Sequence, residues 1–137
     1  MIIDATNLKL GRISTLAAKA ALKGESVDIV NCEKAIITGS KQDIVAKYQA
    51  RRERGGPHWG PFIERRADKF VRRTIRGMLP YKTPRGRDAF KRIMCYIGNP
   101  KDVDAKTIKE ADINESETMK YITVGKLCGL LGGSSHE

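Results

Sequence analysis

The sequence predicts an α/β domain, and three observations predict it. Short apolar runs of strand length alternate with longer segments whose apolar residues recur every three to four positions. The chain has 137 residues, an ordinary size for one domain and enough to bury a core without a disulfide or metal staple. No apolar run approaches the length of a membrane span. The start, MIIDATNLKLGR, also lacks the basic-then-apolar order of a secretory signal. A soluble, intracellular chain forming one domain over 1–137 is therefore expected, with 101–137 as a C-terminal segment packing on it.

Each element has a local signal. Ile2, Ile3, Asp4 and Ala5 read as a short buried strand. From Gly11 to Lys23 the residues Ile13, Leu16, Ala17, Ala20 and Ala21 fall at helical spacing, and Gly24 is the stop. Val27 to Asn31 reads as a second strand and Ala35 to Thr38 as a third. Ser40 followed by Asp43 resembles a capping box, so a helix is expected from Lys41 into the RRER run, with Ile44, Val45 and Tyr48 on its apolar side. GGPHWGP, residues 55–61, has three glycines and two prolines in seven positions and must be a loop. Helical spacing returns from Asp68 to about Leu79. Thr83 is the expected N-cap and Pro84 the first residue of the next helix. A strand is expected at Met94 to Ile97, ended by Gly98-Asn99-Pro100. The acidic stretch 101–117 receives no assignment. Val124, Leu127, Cys128 and Leu131 mark a short final helix, ended by Gly132-Gly133. Strands joined through helices imply right-handed crossovers.

Charge is the strongest functional signal. The net charge is +10, yet residues 41–92 carry 16 Lys+Arg against 5 Asp+Glu, so the middle of the chain holds essentially all the excess. Solubility alone would not require such clustering, whereas a polyanion partner would. On the helix from Asp68, Lys69, Arg72, Arg73 and Arg76 share a narrow arc, while Val71, Ile75, Met78 and Leu79 lie opposite as core. In the next helix Phe90, Ile93 and Met94 share a face, and Arg87, Lys91 and Arg92 point elsewhere. A solvated helix face normally mixes signs. Here Asp68 and Asp88 are the only acids between Arg65 and Arg92.

Most of these cations are arginine, whose planar guanidinium makes forked contacts to phosphate and stacks on bases. The expected RNA-binding set is Arg12, Lys41, Arg51, Arg52, Arg54, His58, Trp59, Arg65, Arg66, Lys69, Arg72, Arg73, Arg76, Lys82, Arg85, Arg87, Lys91 and Arg92. Trp59 has two readings: it stacks on an unpaired base, or it tucks into the core and anchors the loop.

Catalysis finds little support. There are two histidines, His58 and His136, and no nucleophile-elbow, metalloprotease or Walker pattern. Gly39-Ser40-Lys41 and Gly11-Arg12 each open a helix after a strand, where a phosphate can bind, but ordinary strand-to-helix turns account for both. Cys32, Cys95 and Cys128 are odd in number, far apart in sequence and set among apolar neighbours, as buried free thiols are. Asn114-Glu115-Ser116 is a sequon without meaning in an intracellular chain. No enzyme activity, cofactor or metal site is expected.

Three motifs in order resemble one family. DATNLKLGRISTLAAKAALKG carries Asp4, Ala5, Leu10, Gly11, Arg12 and Ser14; AIITGSKQDIVAKY follows; RGMLPYKTPRGRDAFKRIMCYIGNP carries Gly77-Met78-Leu79-Pro80 and Gly86-Arg87. Over about residues 2–100 the chain resembles the large-subunit ribosomal protein L-thirteen family. The resemblance implies a three-layer α/β/α domain around a small, mainly parallel four-stranded sheet. It also implies binding to large-subunit ribosomal RNA beside neighbouring ribosomal proteins in the cytoplasm, support of subunit assembly, and no catalysis, membrane or small-molecule substrate. The start close to Asp4-Ala5 and the lack of a long C-terminal extension resemble the archaeal branch. The alternative is a free-standing RNA- or nucleotide-binding α/β protein.

Overall fold

The strands β1 (Ile2–Asp4), β2 (Val27–Val30) and β4 (Ile93–Cys95) form a parallel sheet in the order β1-β2-β4. This is a computed structural model, and it describes residues 1–100 and 120–133. The acidic 101–117 stretch, the Asn114 sequon and His136 lie outside the described residues. Ile3, Ile29 and Cys95 stand side by side across the three strands, and all are buried. Asp4 closes the end of β1. It accepts hydrogen bonds from Thr6 N (3.0 Å), Thr6 Oγ1 (2.7 Å) and Asn31 Nδ2 (3.0 Å). Burial pushes its carboxyl up, but the bonds from Asn31 and Thr6 outweigh this and hold it below the ordinary value.

The α/β class with a mainly parallel sheet is what forms, but the strands are shared out differently from the expected four. β3 (Ile36–Thr38) leaves the parallel sheet and pairs antiparallel with β5 (Tyr121–Thr123), Ile37 opposite Ile122. The reason is chain length. Only a 3₁₀ turn at Cys32–Lys34 separates β3 from β2, whereas a parallel neighbour needs a crossover of a dozen residues or so. Asn31, at φ +54°, turns the chain away. β5 has no assignment from the sequence: Tyr121, Ile122 and Thr123 all favour strands, but three residues are too short a run to stand out.

Helix α1 (Leu10–Leu22) buries Leu10, Ile13, Ala17, Ala18, Ala20 and Ala21. Its alanines bring it close to α3 (Ala67–Met78) and α4 (Pro84–Lys91), with which it packs. Gly24, at φ +103°, ends it as expected: Gly24 N donates to Ala21 O and Glu25 N to Ala20 O. α2 (Lys41–Arg52) buries Ile44 alone, with Val45 and Tyr48 half-buried. Ser40 is its N-cap by position, but its side chain makes no capping bond, so the expected capping box does not form. α5 (Val124–Leu130) buries Val124, Leu127 and Cys128 against the 3₁₀ turn and α3.

α3 buries Ala67, Phe70, Val71 and Ile75, and Leu79 follows at 5 % exposure. Met78, expected in the core, is 43 % exposed. Helical spacing gives a side chain's direction but not what stands there. In the last turn of α3, Met78 meets the exposed Thr15 of α1, Sδ 3.6 Å from its hydroxyl, rather than the sheet. Met94 also leaves its expected place beside Phe90 and Ile93. It belongs to β4, not to a helix, and strand alternation turns it outward between buried Ile93 and Cys95.

The turn into α4 is built as expected. Thr83 Oγ1 accepts from Gly86 N (3.3 Å) and Pro84 opens the helix. Gly86 is buried, and a Cβ there would collide with the Pro80 carbonyl.

Two stability rankings follow. Leu79→Ala should cost about 2–5 kcal/mol, and Met78→Ala about 1 kcal/mol or less; urea unfolding with the opposite order would mean that the end of α3 is misread. Gly86→Ala should cost about 1–3 kcal/mol, because the Pro80–Tyr81 backbone must move to admit the methyl. An unchanged denaturation midpoint would show that the turn has slack.

Candidate nucleic-acid interface

The loop after α2 is folded on its own glycines. Trp59 N and Gly60 N both donate to Gly56 O at 3.2 Å. Gly55 takes φ +80°, and a Cβ there would strike the Gly60 carbonyl. This tight return leaves Trp59 no route to the core: it is 90 % exposed, and Phe62 just beyond it is 66 % exposed. The core-anchor reading of Trp59 is therefore excluded.

Several arginines are engaged with the protein itself. Arg73 Nη1 donates to Phe62 O at 2.6 Å and ties the loop to α3. Arg52 Nη1 donates to Leu131 O (3.1 Å) and Arg65 Nη1 to Gly132 O (3.5 Å). These carbonyls end α5, where cations suit the helix dipole. Gly133 permits this approach, since a Cβ there would collide with the Arg65 carbonyl. Arg92 Nη1 reaches Ala21 O at 3.4 Å, at the end of α1. Arg66 grips Asp68 with two bonds, 3.2 and 2.8 Å. Lys91 meets Asp88 at 3.5 Å, both exposed, a pair of small energetic weight.

Other guanidiniums lie on aromatic rings. Arg72 stands 4.6 Å from the centroid of Phe90, Arg76 4.9 Å from that of Tyr81, and Arg51 5.5 Å from that of Tyr48. Tyr48 in turn packs on Phe70 at 5.2 Å, joining α2 to α3. The rings cover the guanidinium planes and restrict their rotation, so less entropy is lost when the N–H edges meet an anion. Sequence reasoning missed these platforms. Only the Tyr48–Arg51 pair, three apart on one helix, had a local signal. The rings of Tyr81 and Phe90 come from across a turn and from another helix.

All eighteen predicted residues are exposed except Arg72 and Arg76, which are half-buried. Three grooves join most of the central ones. A groove of about 530 Å³ runs between Arg52, Arg54 and the 55–66 loop. One of about 440 Å³ lies along α3 from Phe62 to Phe90, and one of about 300 Å³ lies between Arg51 and Arg73. Glu64 lines all three. His58 and Trp59 rise from the loop beside the first. Lys82, Arg85 and Arg87 stand exposed on the turn and α4. Arg12 is set apart, in a hollow of α1 with Thr15, Leu16 and Lys19. Lys41 opens α2, roughly 16 Å along the helix from Arg52. Neither helix start carries a side-chain cap, and both are ordinary strand-to-helix turns.

The three grooves offer cations that can donate to phosphate, aromatic side chains and one carboxylate, that of Glu64, and among the described residues these do not form a catalytic constellation. Cys32, Cys95 and Cys128 are buried. Hydrogen bonding to Cys95 and burial push the Cys32 thiol up, and burial pushes Cys128 up to about 11, which makes both poor nucleophiles. Among the described residues no group of metal-ligating side chains gathers, and no helix is long and apolar enough to cross a membrane.

Comparison with known proteins gives consistent findings. The sequence profile of the family described as ribosomal protein L13 matches residues 1–102. The large ribosomal subunit protein uL13 of Methanopyrus kandleri is 45 % identical, covering 96 % of this chain and 86 % of its own length. That of Methanocaldococcus jannaschii is 46 % identical, with 96 % of each covered. That of Haloarcula marismortui is 40 % identical, over 98 % of this chain and 92 % of its own.

Proposed function

This chain belongs to the ribosomal protein L13 family, and from that premise we propose that it is a structural constituent of the large ribosomal subunit that binds large-subunit ribosomal RNA through its Arg-rich central segment. Its place is the ribosome of the cytoplasm, among neighbouring ribosomal proteins, and it supports subunit assembly by neutralising and gathering phosphates. It is not an enzyme. One cluster of buried side chains running from Ile3 to Leu131 supports reading the chain as one domain.

The observation that carries the reading is the segregation on α3. One face is buried to 5 % exposure or less at Phe70, Val71 and Ile75, while Lys69, Arg72, Arg73 and Arg76 line a single groove on the other. Like charges at this spacing repel, and a phosphate backbone relieves the repulsion. Arg54, Lys69, Arg85 and Arg87 carry phosphate contacts. Arg72, Arg73 and Arg76 add contacts of fixed geometry. Arg52, Arg65 and Arg92 share their charge with helix-end carbonyls, so their loss costs stability as well as affinity. Trp59 stacks on an unpaired base.

Filter binding to large-subunit ribosomal RNA should give an affinity that falls linearly on log–log axes with salt, by about a thousandfold or more between roughly 50 and 200 mM. A nearly flat dependence would remove phosphate neutralisation as the driving term. Trp59→Ala should weaken binding by about 1–3 kcal/mol without lowering the melting temperature. Unchanged affinity would remove Trp59 from the interface.

A further inference from the structure

We infer that the groove along α3 is a pocket for one unpaired guanine of the bound RNA, read by Glu64. The inference rests on the RNA-binding reading above and goes further by assigning a base. Glu64 is half-buried and lines the groove beside Lys69, Arg72 and Arg73. Among so many cations a carboxylate ordinarily pairs. Glu64 makes no hydrogen bond or ion pair to any described residue. The neighbouring guanidiniums are held elsewhere: Arg73 by the Phe62 carbonyl, Arg72 over Phe90 and Arg76 over Tyr81. None of them bonds to Glu64, so among the described residues both carboxylate oxygens are without a partner.

The group that meets them is not a phosphate, which a carboxylate repels. It must present N–H donors, and base edges are the donors an RNA offers. Guanine alone among the four bases carries two adjacent donors, N1–H and the N2 amino group, matching the two acceptor oxygens of one carboxylate. Adenine and cytosine present one amino group beside a ring-nitrogen acceptor, which would face a carboxylate lone pair. Uracil presents one N–H between two carbonyls. Phe62, 66 % exposed at the mouth of the groove, supplies a ring face for the base. Lys69 and Arg76 stand along the same groove to take the flanking phosphates. Its volume, about 440 Å³, is in the range of small-ligand sites.

The test uses the full chain and labelled RNA pentamers of sequence UUXUU, with X as guanine, inosine, adenine, cytosine or uracil, followed by fluorescence anisotropy. The guanine pentamer should bind about fivefold tighter or more than the adenine, cytosine and uracil pentamers. Inosine, which lacks the N2 amino group, should fall between. Glu64→Gln should abolish the preference while leaving the other pentamers equal or tighter, because a negative charge is gone. Phe62→Ala should weaken the guanine pentamer most. Equal affinity for all five pentamers, or a preference that survives Glu64→Gln, overturns the inference and leaves phosphate binding standing. Binding of ribosomal RNA but of no pentamer overturns the inference alone, and failure to bind ribosomal RNA as well overturns both readings. Free guanosine monophosphate competing as well as the guanine pentamer would make the occupant a nucleotide and overturn the RNA assignment. If Glu64→Gln does not fold, the comparison of guanine with inosine on the natural chain decides.

Discussion

Helix α3 is under the constraint on which the rest of the molecule depends: it must be apolar on one side and cationic on the other. Its buried side packs on α1, β4, the 3₁₀ turn and α5, so it joins the parallel sheet to the C-terminal elements. Burial of Phe70, Val71 and Ile75 contributes several kcal/mol. That gain offsets the repulsion among four cations on the other side, each such pair costing only a few tenths. A looser core on that side would leave the cationic stripe without a rigid support.

The arginines divide into two kinds of work. Some hold the protein together: Arg52 and Arg65 reach the carbonyls that end α5, Arg92 reaches the end of α1, and Arg73 holds the loop through Phe62. Others are laid on Phe90, Tyr81 and Tyr48. In both cases a long side chain is fixed before any ligand arrives. A surface arranged this way loses less rotamer entropy on binding than one of free lysines. Among the described residues the same fixing leaves Glu64 without a hydrogen bond or ion pair, although it lines the groove beside Lys69, Arg72 and Arg73.

The glycine-rich loop works by exclusion. Its return from Gly56 to Gly60 is too tight to carry Trp59 inward, so the one large indole of the chain stays in solvent next to Phe62. Two exposed aromatic side chains beside Arg52, Arg54 and Arg65 combine the stacking faces and charge that single-stranded nucleic acid requires.

The sequence by itself determined whatever is encoded within a turn or two of chain. It placed α1 with its Gly24 stop, α3 within a residue, and α4 with its Thr83 cap and Pro84 start, because period, cap and stop are local. It determined the concentration of charge between 41 and 92 and, through three ordered motifs, the family. Tertiary structure decided the rest. β3 joined β5 rather than the parallel sheet because pairing is a choice among distant partners. Met78 and Met94 stayed exposed because spacing fixes a direction, while burial depends on what stands in that direction. Trp59 went outward, and Arg72 and Arg76 found Phe90 and Tyr81, because those contacts join segments whose approach no single segment specifies.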